Sequence, residues 1–280
     1  MDFTKKVGLV LGGGGARGLS HIGVAKILNE YGVQISELAG CSMGALIASA
    51  MAIGLPIEEI ERIARRFNSK REIIKLLDRT PSRRGLLAGK SIRKYLSNFI
   101  NPEYQIENTL IPLTLNAVDL ITGEEVALTH RNLLEGIMAS TAIPGVFPPV
   151  ETGPYRLVDG GVLNDVPVKY LRKSSVDILI AGDVHQYTLD EQPKPPTQLP
   201  YEHIPLPIPA LVQNFYRVEM IMTSALISRN LQDYPPDILV TPTIPGDITA
   251  LFGFNRVDEI IRAGELAMLE KIPDLLNLIA

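Results

Sequence analysis

Apolar positions along this chain fall into two alternating rhythms. Short unbroken runs, Val7 to Leu11, Ile35 to Gly40 and Asp177 to Gly182, read as strands, and continuous runs of this kind suit strands covered on both faces. Between them the spacing becomes helical, over Arg17 to Tyr31 with Gly32 behind it, Gly44 to Ile53, and Ile57 to Phe67 after Gly54 and Pro56. Ile111 to Val118 and Glu124 to Leu128 read as two strands joined at Ile121-Thr122-Gly123. Arg156 to Val158 and Asp237 to Val240 add further strands, and Asn255 to Glu270 and Asp274 to Ile279 read as two closing helices. Strands alternating with helices predict an α/β fold with a mainly parallel sheet, and no repeat is visible.

Two segments break the rhythm. Arg62 to Arg84 carries nine basic residues (Arg62, Arg65, Arg66, Lys70, Arg71, Lys75, Arg79, Arg83, Arg84) against Glu72 and Asp78, a balance of +7. Such a stretch suits either peripheral contact with an anionic membrane or a solvated face neutralised by carboxylates elsewhere. Pro193 to Pro209 holds seven prolines, which exclude a helix or central strand and predict a long loop. The segment after it, Ala210 to Gln232, reads as an apolar helix that either joins the core or lines an acyl groove.

Composition narrows the options. The 280 residues are 46% hydrophobic and 21% charged, with 27 basic and 31 acidic side chains for a net charge of −4. That excludes a disordered chain and an overall basic footprint for nucleic acid. A single cysteine, Cys41, excludes an internal disulfide framework and a multi-cysteine zinc site. Lys5 and Lys6 before Val7 to Leu11 imitate a secretory leader, but four glycines interrupt the run. With no stretch of about 18 apolar residues to span a bilayer, the expectation is a cytoplasmic protein, at most peripheral to the membrane.

Candidate chemistry begins at Gly12-Gly13-Gly14-Gly15-Ala16-Arg17-Gly18, between the first strand and the first helix. Gly13, Gly15 and Gly18 satisfy the dinucleotide pattern GxGxxG. That reading also requires an acidic residue at the end of the second strand. Here the second strand instead runs into Gly40-Cys41-Ser42-Met43-Gly44, a GxSxG nucleophile elbow. The elbow needs small residues two before and two after the serine, because a Cβ at either place crowds the turn. Ser42 then stands at a helix N-terminus, which favours developing negative charge. In this context the glycine loop reads as an oxyanion hole, with Gly13, Gly14, Gly15 and the Arg17 N–H as donors.

A serine nucleophile needs a base. The histidines are His21, His130, His185 and His203, and only His185, just past a strand, stands at a plausible sheet edge. The competitor is Asp159 in Leu157-Val158-Asp159-Gly160-Gly161, which can take the serine proton directly if burial raises its pKa. Spacing alone does not choose between His185 and Asp159.

At these residues the chain resembles the patatin-like phospholipase family, whose members combine a Gly-rich loop, a GxSxG serine and an Asp in a DG[AG] motif. All three stand here in order, at Gly13 to Gly18, Gly40 to Gly44, and Asp159-Gly160-Gly161, with the block Ala139 to Val150, Asn164 and Pro167 also fitting. The similarity is specific from about Val7 to Asp183 and returns faintly at Phe254 to Ala267. Met43 stands where Ala is common, which adds bulk beside the acyl pocket. The resemblance implies a single domain over residues 1–280, a three-layer α/β/α sandwich with a mostly parallel central sheet. It implies Asp159, not His185, as the general base of a Ser42–Asp159 dyad. The implied activity is hydrolysis of phospholipid or lysophospholipid esters; no clustered His, Asp and Glu spacing suggests a metal, so no metal or other cofactor is expected and calcium independence is predicted. Acyl transfer by the same site and non-catalytic lipid or partner binding are the alternatives.

Overall fold

The computed structural model describes residues 5–76, 78, 87–185, 210–249 and 253–279. In chain order its elements are β1 (Val7–Leu11), α1 (Ser20–Glu30), β2 (Ile35–Gly40), α2 (Met43–Ala52), α3 (Ile57–Arg65), α4 (Lys70–Leu76) and α5 (Lys90–Leu96). They continue with β3 (Leu113–Asp119), β4 (Glu125–Leu128), α6 (Leu133–Ser140), β5 (Val150–Thr152), β6 (Tyr155–Asp159), α7 (Val168–Arg172), β7 (Ile178–Gly182), α8 (Ala210–Asp233), β8 (Ile238–Val240) and α9 (Val257–Ile279).

One sheet runs β5-β6-β3-β2-β1-β7-β8, with β4 paired to β3 off this path. The centre is parallel: β1 lies between β2 and β7, β3 joins β2, and β8 joins β7. The edge formed by β4, β5 and β6 is antiparallel. Alternation along β1 assigns the two faces. Val7, Leu9 and Leu11 join the larger core, while Val10 joins a smaller one with Val168 and Leu171 of α7 and Ile227 of α8. Helices therefore cover both faces, and the architecture is the expected three-layer α/β/α sandwich with a mostly parallel sheet. On the larger face α1 and α9 pack almost backbone to backbone. A methyl group on Gly264 would stand 1.9 Å from the Ser20 carbonyl oxygen, and one on Gly23 would stand 2.1 Å from that of Ile261.

Several local expectations change. The glycine loop does not enter an α-helix directly: Gly15–Leu19 is a 3₁₀ turn, and α1 starts at Ser20. The two closing helices are one, because α9 runs through Pro273. Ile272 and Leu275, on either side of it, are both buried, and that packing outweighs the roughly 3 kcal/mol a helical proline costs. Helix α8 is neither wholly core nor groove. Met220 and Ile227 are buried, while Val218, Ile221 and Met222 are exposed. The proline-rich segment 193–209 lies outside the described residues.

The basic stretch is largely neutralised where it is described. Arg62 pairs with Glu59, Arg65 with Glu61 and Asp258, and Lys75 with Glu72. The Arg66 guanidinium stacks over the Phe99 ring at 5.9 Å. Arg79, Arg83 and Arg84 lie outside the described residues. Among those residues no helix is long and apolar enough to cross a membrane.

Candidate active site

Three chain turns at the C-terminal ends of β1, β2 and β6 build the site. Ser42 leaves β2 at φ 51°, ψ −120°, the one non-glycine residue with positive φ among those described. That conformation is costly for a side-chain-bearing residue and persists only where its surroundings impose it. They do so here. A Cβ on Gly40 would stand 2.6 Å from the Gly44 carbonyl oxygen, and one on Gly44 would stand 2.0 Å from that of Leu11. The Ser42 N–H donates to Ser140 Oγ at 3.1 Å, so the end of α6 pins the turn. Ser42 itself caps the N-terminus of α2 and is 6% exposed, enough to reach a ligand from one side only.

Asp159 ends β6, and its carboxylate meets this turn. The Ser42 side chain lies beside it and favours its ionised form, Gly161 N–H donates to Oδ1 at 2.9 Å, and the Cys41 thiol donates to the same oxygen at 3.6 Å. Burial raises Asp159 to about 7, against the pull of those three groups and with the nearby Asp165 charge adding to the rise. A carboxyl group poised there is partly ionised at neutral pH and can take up a proton from a neighbouring hydroxyl. Burial likewise pushes the Cys41 thiol well up, so it stays protonated beside the acid.

The glycine loop lies across from Ser42, and not every expected donor is available. Gly13 N–H is committed to the Asp165 carbonyl at 3.0 Å, and Arg17 N–H to Gly14 at 3.2 Å, closing the 3₁₀ turn. Both expectations are therefore corrected. Among the described residues, the amides of Gly14 and Gly15 carry no such bond, and these two remain as donors for an anion. The Arg17 guanidinium is buried and bonds the Ile248 carbonyl at 2.7 Å. Gly18 packs on Met43, where a methyl group would stand 2.6 Å from the Met43 Cβ. Gly160 packs on Asn116, where one would stand 2.4 Å from Oδ1.

The histidines lie elsewhere. His21 is fully buried, bonds the Gly12 carbonyl oxygen through Nε2 at 2.8 Å, and is lowered to about 4, chiefly by burial. His130 bonds Thr129, and His203 lies outside the described residues. The His185 Nδ1 faces Asp165 Oδ2 at 3.0 Å and not Ser42. Asp165 had no mark in the sequence beyond following Asn164. Glu125 is another residue that spacing did not single out. It receives Tyr170 Oη at 2.7 Å, Asn164 Nδ2 at 2.9 Å and Asn116 Nδ2 at 3.2 Å, bracing the turn after Asp159.

From Ser42 a cavity of about 320 Å³ opens between α2, α3, α4, α5 and α6. Met43, Leu46, Ala50, Ile63, Phe67, Leu96, Ile137, Phe147 and Phe254 are among its lining residues, which are almost wholly apolar. Its shape and chemistry suit a hydrocarbon chain with its reactive end at Ser42. No described residue of α8 lines it.

A strained serine elbow, a buried carboxylate beside it, a glycine loop and an apolar cavity thus meet at one end of an α/β sheet. The chain belongs to the patatin-like phospholipase family, whose model matches residues 9–172. It is 38% identical over 178 residues to an uncharacterized NTE family protein of Mycobacterium bovis, covering 64% of this chain and 49% of that one. A second uncharacterized NTE family protein of that organism is 29% identical, over 98% of this chain and 48% of its own length. The neuropathy target esterase sws of Drosophila melanogaster is 29% identical over 64% of this chain and 13% of its own. The chain thus spans about half the length, or less, of these curated relatives. Among solved structures, VipD from Legionella pneumophila shares the fold with a TM-score of 0.53 at 13% identity, covering 98% of this chain and 67% of that one. Human GIVD cytosolic phospholipase A2 does so at 0.50 and 12%, covering 99% and 59%.

Proposed function

We propose that this chain is a serine acyl-ester hydrolase that cleaves lipid esters with a Ser42–Asp159 dyad. The observation that carries the reading is a buried Asp159 raised to about 7 beside the strained Ser42 turn, at the mouth of an apolar cavity. Family membership and the NTE relatives support it. In the reaction Asp159 takes the Ser42 proton as Oγ attacks the ester carbonyl, and the Gly14 and Gly15 amides hold the resulting oxyanion. The carbonyl re-forms as the C–O bond to the alcohol or lysolipid breaks, and Asp159 returns the proton to the departing oxygen. Water, deprotonated by the same carboxylate, then attacks the acyl carbonyl; the bond to Ser42 Oγ breaks, Asp159 returns the proton to Oγ, and the fatty acid leaves.

The preferred substrate is a phospholipid or lysophospholipid, a reading supported by family membership and by a cavity whose lining beside Ser42 is almost wholly apolar. Residues 1–280 act as one domain in this reading, supported by a core that runs from Val7 to Leu275. Contact with anionic lipid through Arg62–Arg84 would rest chiefly on Arg71 and on residues outside those described, since Arg62, Arg65 and Lys75 already have carboxylate partners. Sedimentation with anionic vesicles that is insensitive to salt would remove that part.

Fluorophosphonate labelling with peptide mapping, alongside p-nitrophenyl ester hydrolysis, tests the dyad. A single adduct on Ser42 is expected, with turnover falling on the order of 10³–10⁵-fold in Ser42→Ala and Asp159→Asn. A folded wild type that takes no label would overturn the reading. Label with acyl transfer to added glycerol outrunning hydrolysis would make the site an acyltransferase.

A further inference from the structure

Behind the proposed dyad lies a second buried carboxylate that the reaction does not use. Asp165 Oδ1 occupies the space in front of two motif glycines: a methyl group on Gly13 would stand 2.2 Å from it, and one on Gly161 2.5 Å. The same oxygen is 4.0 Å from the Cys41 thiol. The Asp165 carbonyl, in turn, accepts the Gly13 N–H at 3.0 Å. One residue therefore touches the glycine loop, the serine elbow and the turn after Asp159.

Its other oxygen meets His185, whose Nδ1 is 3.0 Å from Oδ2, and both side chains are nearly closed to solvent, at 6% and 8% exposed. His185 also reaches the loop, since a methyl group on Gly14 would stand 3.4 Å from its Cε1. Asp183 fixes the imidazole from its own strand end. It accepts the His185 N–H at 2.9 Å and stands 3.8 Å from Nδ1. Arg17, His21 and Glu219 complete the charged surroundings of the pair, while Asp165, Cys41 and Ser42 surround Asp159.

We propose that Asp165 and His185 form a positioning pair for the dyad, in which the carboxylate wedges the three motifs together and His185, seated against it, balances its charge towards Asp159. The inference rests on the dyad reading above. Two carboxylates in one buried site oppose each other's ionisation, and a cation beside one of them relieves the other. Burial opposes a charged His185, but Asp165 and Asp183 outweigh it and raise the imidazole to about 8, so it is mostly cationic at pH 7.

Opposite signs follow for the two halves of the pair. Asp165→Asn removes the like charge, so the acid limb of the Ser42 reaction moves to lower pH. His185→Gln leaves Asp165 uncompensated, so the limb moves to higher pH. Each shift is expected to be roughly half a unit or more. The double variant, with neither charge, falls between the two.

The measurement is the pH dependence of the second-order labelling rate of Ser42 by a fluorophosphonate probe, on the full chain, with thermal melts as a folding control. Limbs displaced in opposite directions support the pair. Unmoved limbs, or limbs that move the same way in both variants, overturn it, because a purely structural wedge lowers rates without moving pKa values by sign. Both replacements are close in shape to the originals, and where one does not fold the sign in the other decides. No label on wild-type Ser42 overturns the dyad reading and the pair's role with it; normal label with unmoved limbs overturns the pair alone.

Discussion

The Leu11 carbonyl oxygen closes over Gly44 so tightly that a methyl group there would stand 2.0 Å from it. This oxygen also accepts the Cys41 N–H at 3.1 Å, so it ties β1 to both sides of the serine turn. Gly44→Ala must then push β1 and α2 apart or relax Ser42 out of its φ 51° conformation. We expect a loss of about 1–3 kcal/mol in stability, read as a lower melting temperature, and a much larger loss of Ser42 labelling. Wild-type labelling in a folded Gly44→Ala protein would show that the turn is not under the strain described.

The pH dependence of turnover follows from Asp159. The group accepts a proton only when ionised, and burial raises its pKa from 3.8 to about 7. Activity should therefore be low at pH 5, rise through an inflection near 7, and level off above it. A kcat/KM profile for p-nitrophenyl butyrate checks this directly. An inflection near 4, the range of an exposed carboxylate, would mean that Asp159 is solvated or is not the base.

The same shift has a consequence for folding. Below pH 4 Asp159 is protonated whether the chain is folded or not, and it contributes nothing to the pH dependence. Between about 4 and 7 the unfolded chain releases the proton while the folded one keeps it, so stability falls as pH rises through this window. Above 7 the folded protein carries a buried, incompletely compensated charge. Asp159→Asn removes that burden while keeping an oxygen for the Gly161 N–H. Its melting temperature should match wild type at pH 4 and exceed it at pH 8, where the stability gain is on the order of a few kcal/mol. Equal margins at both pH values would count against the shift.

How much of this could be read in the sequence depends on how local the cause was. The strands β1, β2 and β7 were legible because burial on both faces leaves an unbroken apolar run, and the serine turn because its steric demand falls on Gly40 and Gly44 in fixed register. Asp159 was different. Spacing left it level with His185, and only the resemblance to a known family favoured it. Which loop amides point free was not legible, since Gly13 N–H is claimed by Asp165, a residue 152 positions further on. Asp165 and Glu125 act entirely through such distant contacts. The division at the end of the chain failed for a related reason: the packing of Ile272 and Leu275 against distant strands and helices, invisible locally, holds α9 together through Pro273.

The cavity makes a prediction about chain length. Ala50 lines it eight residues along α2 from Ser42, about 12 Å of helix at 1.5 Å per residue. It therefore marks depth in the tunnel, well beyond the reach of a short acyl group. Ala50→Phe should fill the far part of the roughly 320 Å³ space and leave the elbow, the glycine loop and Asp159 untouched. Hydrolysis of p-nitrophenyl butyrate should stay within about twofold of wild type, while p-nitrophenyl palmitate loses at least roughly tenfold in kcat/KM, the scale on which an apolar pocket discriminates by size. Equal losses on both esters would point to a disturbed elbow, and no loss on palmitate would mean that the acyl chain leaves Ser42 by another route.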